Sequence, residues 1–242
     1  VTNLIGSGTS HLGPSRSEPR RSWSLTGKVA RSVGFFGQNL PALLESDKKL
    51  LKTANEWLEK LEINYRLFTR STHKNFGDQL ITIGLTDTKF ATKDKEKHLE
   101  VSLTDVGYGI SQVLPIVCEC VFRKDTTIFI QQPELHIHPS LQANLTDLFV
   151  WSMKERKNQI VAETHSEHLV LRLMKTLRQS AKTKGKSRKN KALLKKEECL
   201  VQYVSKDETG SNCHEIALSS DGELMNPWPG GFFPERRREL LD

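Results

Sequence analysis

The chain has 242 residues, 36% hydrophobic and 27% charged, with a formal net charge of +7. Such a length buries one substantial core, or one large and one small lobe, and no run of about 18 apolar residues is present, which excludes a hydropathy-defined membrane helix. The positive charge is local: Lys175, Arg178, Lys182, Lys184, Lys186, Arg188, Lys189, Lys191, Lys195 and Lys196 carry it with no acidic residue between them, leaving the remainder mildly acidic.

The start, Val1-Thr-Asn-Leu-Ile-Gly6, has neither a methionine nor the charged and apolar regions of a secretion signal, and reads as a cut end of a longer protein. Residues 1–38, rich in Gly, Ser, Pro and Arg, predict irregular structure with short elements. Leu40, Leu43, Leu44, Leu51, Ala54, Leu58 and Leu61 recur at three- and four-residue intervals and predict a helix from Asn39. Three partly alternating runs, Ile63–Thr69, Gln79–Leu85 and His98–Leu103, predict antiparallel strands. Residues 1–100 thus read as a smaller α+β lobe.

Residues 101–242 follow a different grammar. A glycine loop, Gly107-Tyr-Gly109, opens an apolar helix from Ile110 to Phe122; the strand Thr126–Ile130, a helix Pro139–Arg156, the strand Gln159–Ala162 and a helix Glu167–Leu177 follow. Helices alternating with buried strands predict an α/β fold, a parallel sheet covered by helices. Leu200–Val204 and His214–Leu218 predict a terminal hairpin, and a charged helical tail closes the chain. The basic segment Lys175–Lys196, with Ser180, Gly185 and Ser187 inside it, reads as a mobile solvated loop. It is also a candidate contact for DNA, although no aromatics interleave its basic residues.

The four cysteines show no disulfide-like spacing, which points to a reducing, cytoplasmic setting. His136 with His138, and His165 with His168, raise the question of zinc, but no paired Cys-x-x-Cys accompanies them. The richer chemistry lies where strands end. Open α/β sheets bind ligands outside the carboxyl ends of their strands. Gln131, Gln132 and Glu134 follow the first strand; Glu163, Thr164 and His165 follow the second. These two sets predict one converging site. His165 suits a hydrogen bond to a phosphate oxygen, or else caps the helix that follows.

Three segments carry a resemblance: Asp105-Val-Gly-Tyr-Gly-Ile-Ser-Gln-Val-Leu-Pro115, Ile130-Gln-Gln-Pro-Glu-Leu-His-Ile-His-Pro139 and Glu163-Thr-His-Ser-Glu-His-Leu169. Together they resemble the second half of an ABC-like, SMC-related ATPase of the AAA type found among phage-defence and overcoming-lysogenization-defect-like proteins. His11-Leu-Gly-Pro-Ser-Arg16 and Trp228-Pro-Gly-Gly-Phe-Phe233 are similar to that family as well. The resemblance implies a P-loop NTPase-like fold that binds ATP and Mg²⁺ between two heads packed head-to-tail, with a nuclease as a plausible partner. Gly107, Gly109, Ser111 and Gln112 match the signature loop, which touches the γ-phosphate of the opposite subunit's nucleotide. Gln131 matches the Mg²⁺-supporting Walker B position, as a weak metal ligand, and Gln132 matches the catalytic glutamate. Leu135 to His138 match the D-loop, and His165 matches the switch histidine.

Two departures shape the expectation. No GxxxxGK[ST] phosphate loop occurs in the sequence; in the family it lies upstream of the signature region, so it is expected on residues outside this chain. An amide, moreover, cannot accept a proton from water. Glu163 and Glu134 are therefore the candidate substitute bases beside Gln132. Three hypotheses follow: an ATPase or slow ATP-gated switch, a non-catalytic interaction module that keeps the fold, and a DNA-associated subunit using the basic segment.

Overall fold

Short β-branched runs bounded by polar turns build the sheets, and alternation decides which face each run buries. The structure, a computed structural model, describes residues 8–25, 30–73, 79–89, 99–182 and 194–229. It divides into two compact units, Val1–Ser166 and Glu167–Asp242.

In the first unit, β1 (Thr9–Leu12), β6 (Thr127–Gln131) and β7 (Gln159–Glu163) form a parallel sheet in the order β1-β6-β7. The register sets His11 beside Phe129 and Phe129 beside Val161. Leu12, Ile128 and Ile130 are buried on one face, whereas His11, Phe129 and Val161 are exposed on the other. Helix α3 (Tyr108–Phe122) precedes β6, and α4 (Pro139–Arg156) links β6 to β7. Every residue of α3 from Ser111 to Val121 is buried, as expected of a helix apolar on all sides. Its buried Glu119 accepts hydrogen bonds from the Ser10 hydroxyl and from Val33 N at 2.9 Å. Burial pushes that carboxyl upward, while those bonds and Arg123 oppose the shift.

The second sheet is antiparallel. β4 (Gln79–Asp87) lies between β3 (Tyr65–His73) on one side and β2 (Trp23–Leu25) with β5 (Glu100–Ser102) on the other. Ile81, Ile83 and Leu85 of β4 are fully buried. Helices α1 (Leu40–Ser46) and α2 (Lys48–Lys60) pack on this sheet. Asn55 docks α2 to β3 by accepting from Leu67 N at 2.7 Å and donating to Leu67 O at 3.0 Å. Trp57 meets Trp151 of α4 at 5.2 Å between ring centroids.

The single helix predicted from Asn39 is two. Asp47 takes an extended conformation, and its carboxylate accepts from Lys49 N and Leu50 N, capping α2 and ending α1. An N-cap gained there outweighs continuity, and apolar periodicity carries straight through such a break. Residues 9–12 pair with β6, so the start of the chain and the sheet of the later half share one unit.

The second unit holds α5 (Glu167–Lys182), a short 3₁₀ turn at Lys196–Glu198, and the hairpin β8 (Gln202–Asp207) with β9 (Gly210–Glu215). Helix α5 runs five residues beyond the predicted Leu177, so Lys175, Arg178 and Lys182 are helical and exposed. The middle of the basic segment and the predicted helical tail lie outside the described residues. Cys118 and Cys120 are buried, Cys199 half-buried and Cys213 exposed; all four thiols are free. No described helix is long and apolar enough to cross a membrane.

Candidate functional site

The parallel pairing of β6 with β7 ends on the partners Gln131 and Glu163, so two strand ends deliver polar side chains to one rim. Gln131 Nε2 donates to Glu163 Oε2 at 3.4 Å, and Gln132 N donates to Glu163 O at 2.8 Å. Proline at 133 ends the strand. Gln132, just before it, stands at φ 43°, a left-handed conformation that a side chain rarely accepts without compensating contacts.

Glu134 ties the second strand end to the first. Its carboxylate accepts from the Thr164 hydroxyl at 2.7 Å and from His165 N at 2.6 Å. The His165 ring is exposed beside this tie, and Ser166 Oγ donates to Gln142 Oε1 of α4 at 2.7 Å. Glu163 is exposed, whereas Glu134 is half-buried and already engaged. Glu163 is therefore the freer carboxylate to take a proton or meet a cation.

The glycine loop meets the same turn. A Cβ built on Gly109 would lie 2.5 Å from His136 O, closer than side-chain carbons come, whereas one on Gly107 would meet nothing within 4 Å. The Tyr108 ring stands edge-on to His136 at 5.1 Å. Glycine at 109 thus serves close backbone approach. Two predicted loop contacts turn inward: Ser111 donates to Tyr108 O at 2.6 Å, and Gln112 is 1% exposed. His138 is the N-cap of α4, accepting from Ser140 N at 3.3 Å.

One residue of this region, Arg16, enters the sequence reading only as the end of the family-like stretch His11–Arg16, with no role attached. Arg16 is 2% exposed. Its guanidinium donates to Gln131 O at 2.9 Å and to Gln132 O at 3.3 Å. Its backbone N donates to Gln112 Oε1 at 3.2 Å. Burial lowers its pKa to about 10, opposed by the charge of Glu134, so it stays protonated at neutral pH. Periodicity does not reveal a lone arginine in a Gly-Pro-Ser loop as buried.

The family model for the AAA ATPase domain matches residues 37–170, more than half of the chain. The chain belongs to the AAA ATPase domain family. Its rim of strand ends and its glycine loop both lie within the matched stretch. No curated protein matches it. Among solved structures, one from a study of ATP-driven dimerization and DNA-stimulated activation of SMC ATPases is 13% identical with a TM-score of 0.48, covering 83% of this chain and 96% of its own. An SMC head bound to the C-winged helix domain of ScpA is 13% identical with a TM-score of 0.47, covering 76% of this chain and 47% of its own. The SMC head with coiled coil and joint from Pyrococcus yayanosii is 11% identical with a TM-score of 0.45, covering 76% and 29% respectively. In this AAA ATPase domain no cluster of three or more His, Cys, Asp or Glu side chains among the described residues could hold a metal ion.

Proposed function

We propose that the chain supplies one face of an ATP–Mg²⁺ site in an ABC-like, SMC-related ATPase whose heads close head-to-tail around nucleotide. The observation that carries this reading is the paired rim: Gln131 beside Glu163, with Glu134 holding Thr164 and the backbone of His165. The Gln131 side-chain carbonyl is a hard oxygen donor, the kind Mg²⁺ accepts alongside waters and phosphate oxygens. Mg²⁺ bound there would neutralise charge on the terminal phosphates. Gln132 cannot serve as a base, so Glu163 takes that role, and the exposed His165 ring meets the γ-phosphate. Positioning and electrostatics supply most of the acceleration in such sites, which accords with slow turnover by a nucleotide-gated switch.

Cytoplasmic location, dimerization, a role in bacterial defence, a nuclease partner and DNA contact through Lys175–Lys196 belong to the same proposal: the first rests on the cysteine spacing, the last on the charge of the basic segment, and the others on the resemblance. One observation favours a second reading, a non-catalytic module: two amides occupy the acidic positions and Glu134 is spent on hydrogen bonds.

Single-turnover phosphate release by the natural full-length protein separates the two. Glu163→Gln is expected to lower release by about 10²–10⁴-fold while ATP binding persists. Unchanged release removes Glu163 as the base. ATP binding without release in the wild type supports the non-catalytic module, and absence of ATP binding ends the ATPase reading.

A further inference from the structure

Among the groups that the proposed chemistry leaves unused, Arg16 is the most demanding. A buried guanidinium gives up its hydration, and no carboxylate among the described residues is hydrogen-bonded to it; Glu134 is its charge counterpart. What it receives instead is geometry. Nη2 lies 2.9 Å from Gln131 O, and Nη1 and Nη2 lie 3.3 and 3.4 Å from Gln132 O. A planar fork thus spans two successive carbonyls, one of them belonging to the residue at φ 43°. The backbone of the same arginine is clasped by one side chain of α3: Arg16 N donates to Gln112 Oε1 at 3.2 Å, and Gln112 Nε2 donates to Arg16 O at 3.5 Å. Gln112 sits in the first turns of the helix that the glycine loop opens.

We propose that Arg16 is a positioning residue that makes the glycine-loop end of α3 and the carboxyl end of β6 move as one body. It touches no substrate. It acts by fixing the left-handed Gln132 backbone and holding it in register with Gln112. The proposal rests on the ATPase reading for its consequence, because both coupled elements then face nucleotide; the coupling itself is a property of the chain. Lysine cannot replace the fork, since an ammonium is a point donor without the planar two-carbonyl geometry.

The test uses the natural full-length protein with Arg16→Lys and Gln112→Met, read by hydrogen exchange, thermal melting and phosphate release. Exchange is followed in peptides covering residues 107–113 and 131–137. Arg16→Lys is expected to raise exchange in both peptides together, by about tenfold, as local opening without global unfolding. Phosphate release at saturating ATP should fall on the order of 10²-fold, as small misplacements at reacting groups do, with ATP affinity nearly unchanged. Gln112→Met, which cuts the link from the helix side, should give the same paired rise even if Arg16→Lys fails to fold. Faster exchange in only one peptide overturns the proposal. So does faster exchange spread evenly over the unit with a lowered melting temperature, or a wild-type profile in both variants. A wild type that neither binds nor hydrolyses ATP sinks the function proposed above, while the paired exchange still judges the coupling.

Discussion

Replacing Gly109 by alanine tests the contact between the glycine loop and the turn after β6. A Cβ at this position would stand 2.5 Å from His136 O and 3.4 Å from Ile137 Cγ2. The obstacle is backbone, and it is held: His136 sits at φ 62°, Leu135 N donates to Gln132 O, and Ile137 N donates to Glu134 O. Two effects oppose each other. Alanine gains about 0.5–1 kcal/mol over glycine within a helix. Overpacking against a fixed neighbour costs about 1–3 kcal/mol. The clash is with main chain and cannot be relieved by a rotamer, so a net loss of about 1–2 kcal/mol is expected. For a domain of this size that is roughly 2–4 °C in melting temperature per kcal/mol. Urea unfolding of wild type and Gly109→Ala measures it. Gly107→Ala, whose Cβ would meet nothing within 4 Å, serves as control and should lose at most about 0.5 kcal/mol through a weaker N-cap. A Gly109→Ala protein as stable as wild type would refute the close approach.

Two further outcomes can be checked on the same apparatus. Burial raises the Glu119 carboxyl above its ordinary value, so between that value and the raised one the native state holds a proton that the unfolded chain has released. Stability therefore falls as pH rises through this window and is complete below it. Glu119→Gln should flatten that slope in urea midpoints across a pH series, and parallel profiles would contradict the assignment. Lys157 ends α4 at φ 55°, ψ 31°, a left-handed cap that glycine adopts without a Cβ penalty. Lys157→Gly should add about 0.5–1 kcal/mol, and Lys157→Ala, which keeps the Cβ, should add nothing.

Strand ends and helix starts were legible in the sequence because their signals are local. Thr126–Ile130 and Gln159–Ala162 are short apolar runs closed by polar residues, and each strand was found within a residue at either end. Pro139 and Arg156 bound α4 as read. What stayed hidden depends on contacts between distant residues. Nothing near Thr9–Leu12 announces that it pairs with a strand more than a hundred positions away. The extent of α5 was underestimated because Gln179, Ser180 and Lys182 weaken its apolar pattern without breaking the backbone. At the rim, residue types gave the candidates but not their commitments. The difference between Glu134, engaged by Thr164 and His165, and the exposed Glu163 follows from which strand end turns back over the other. The resemblance places Gln112 in the signature loop, and the structure shows its side chain clasped to Arg16 inside the packing. A side chain's direction depends on a neighbouring segment that periodicity does not encode.

The uneven exposure of the four thiols has a practical consequence. Cys118 and Cys120 are sealed in α3, and burial pushes both far from the thiolate form that alkylating reagents attack. Cys213 stands exposed on β9, and Cys199, half-buried, is held back by an upward shift of its own. A maleimide dye at mild pH should therefore mark the hairpin and spare the helix, giving the natural chain a built-in fluorescent handle without any engineered cysteine.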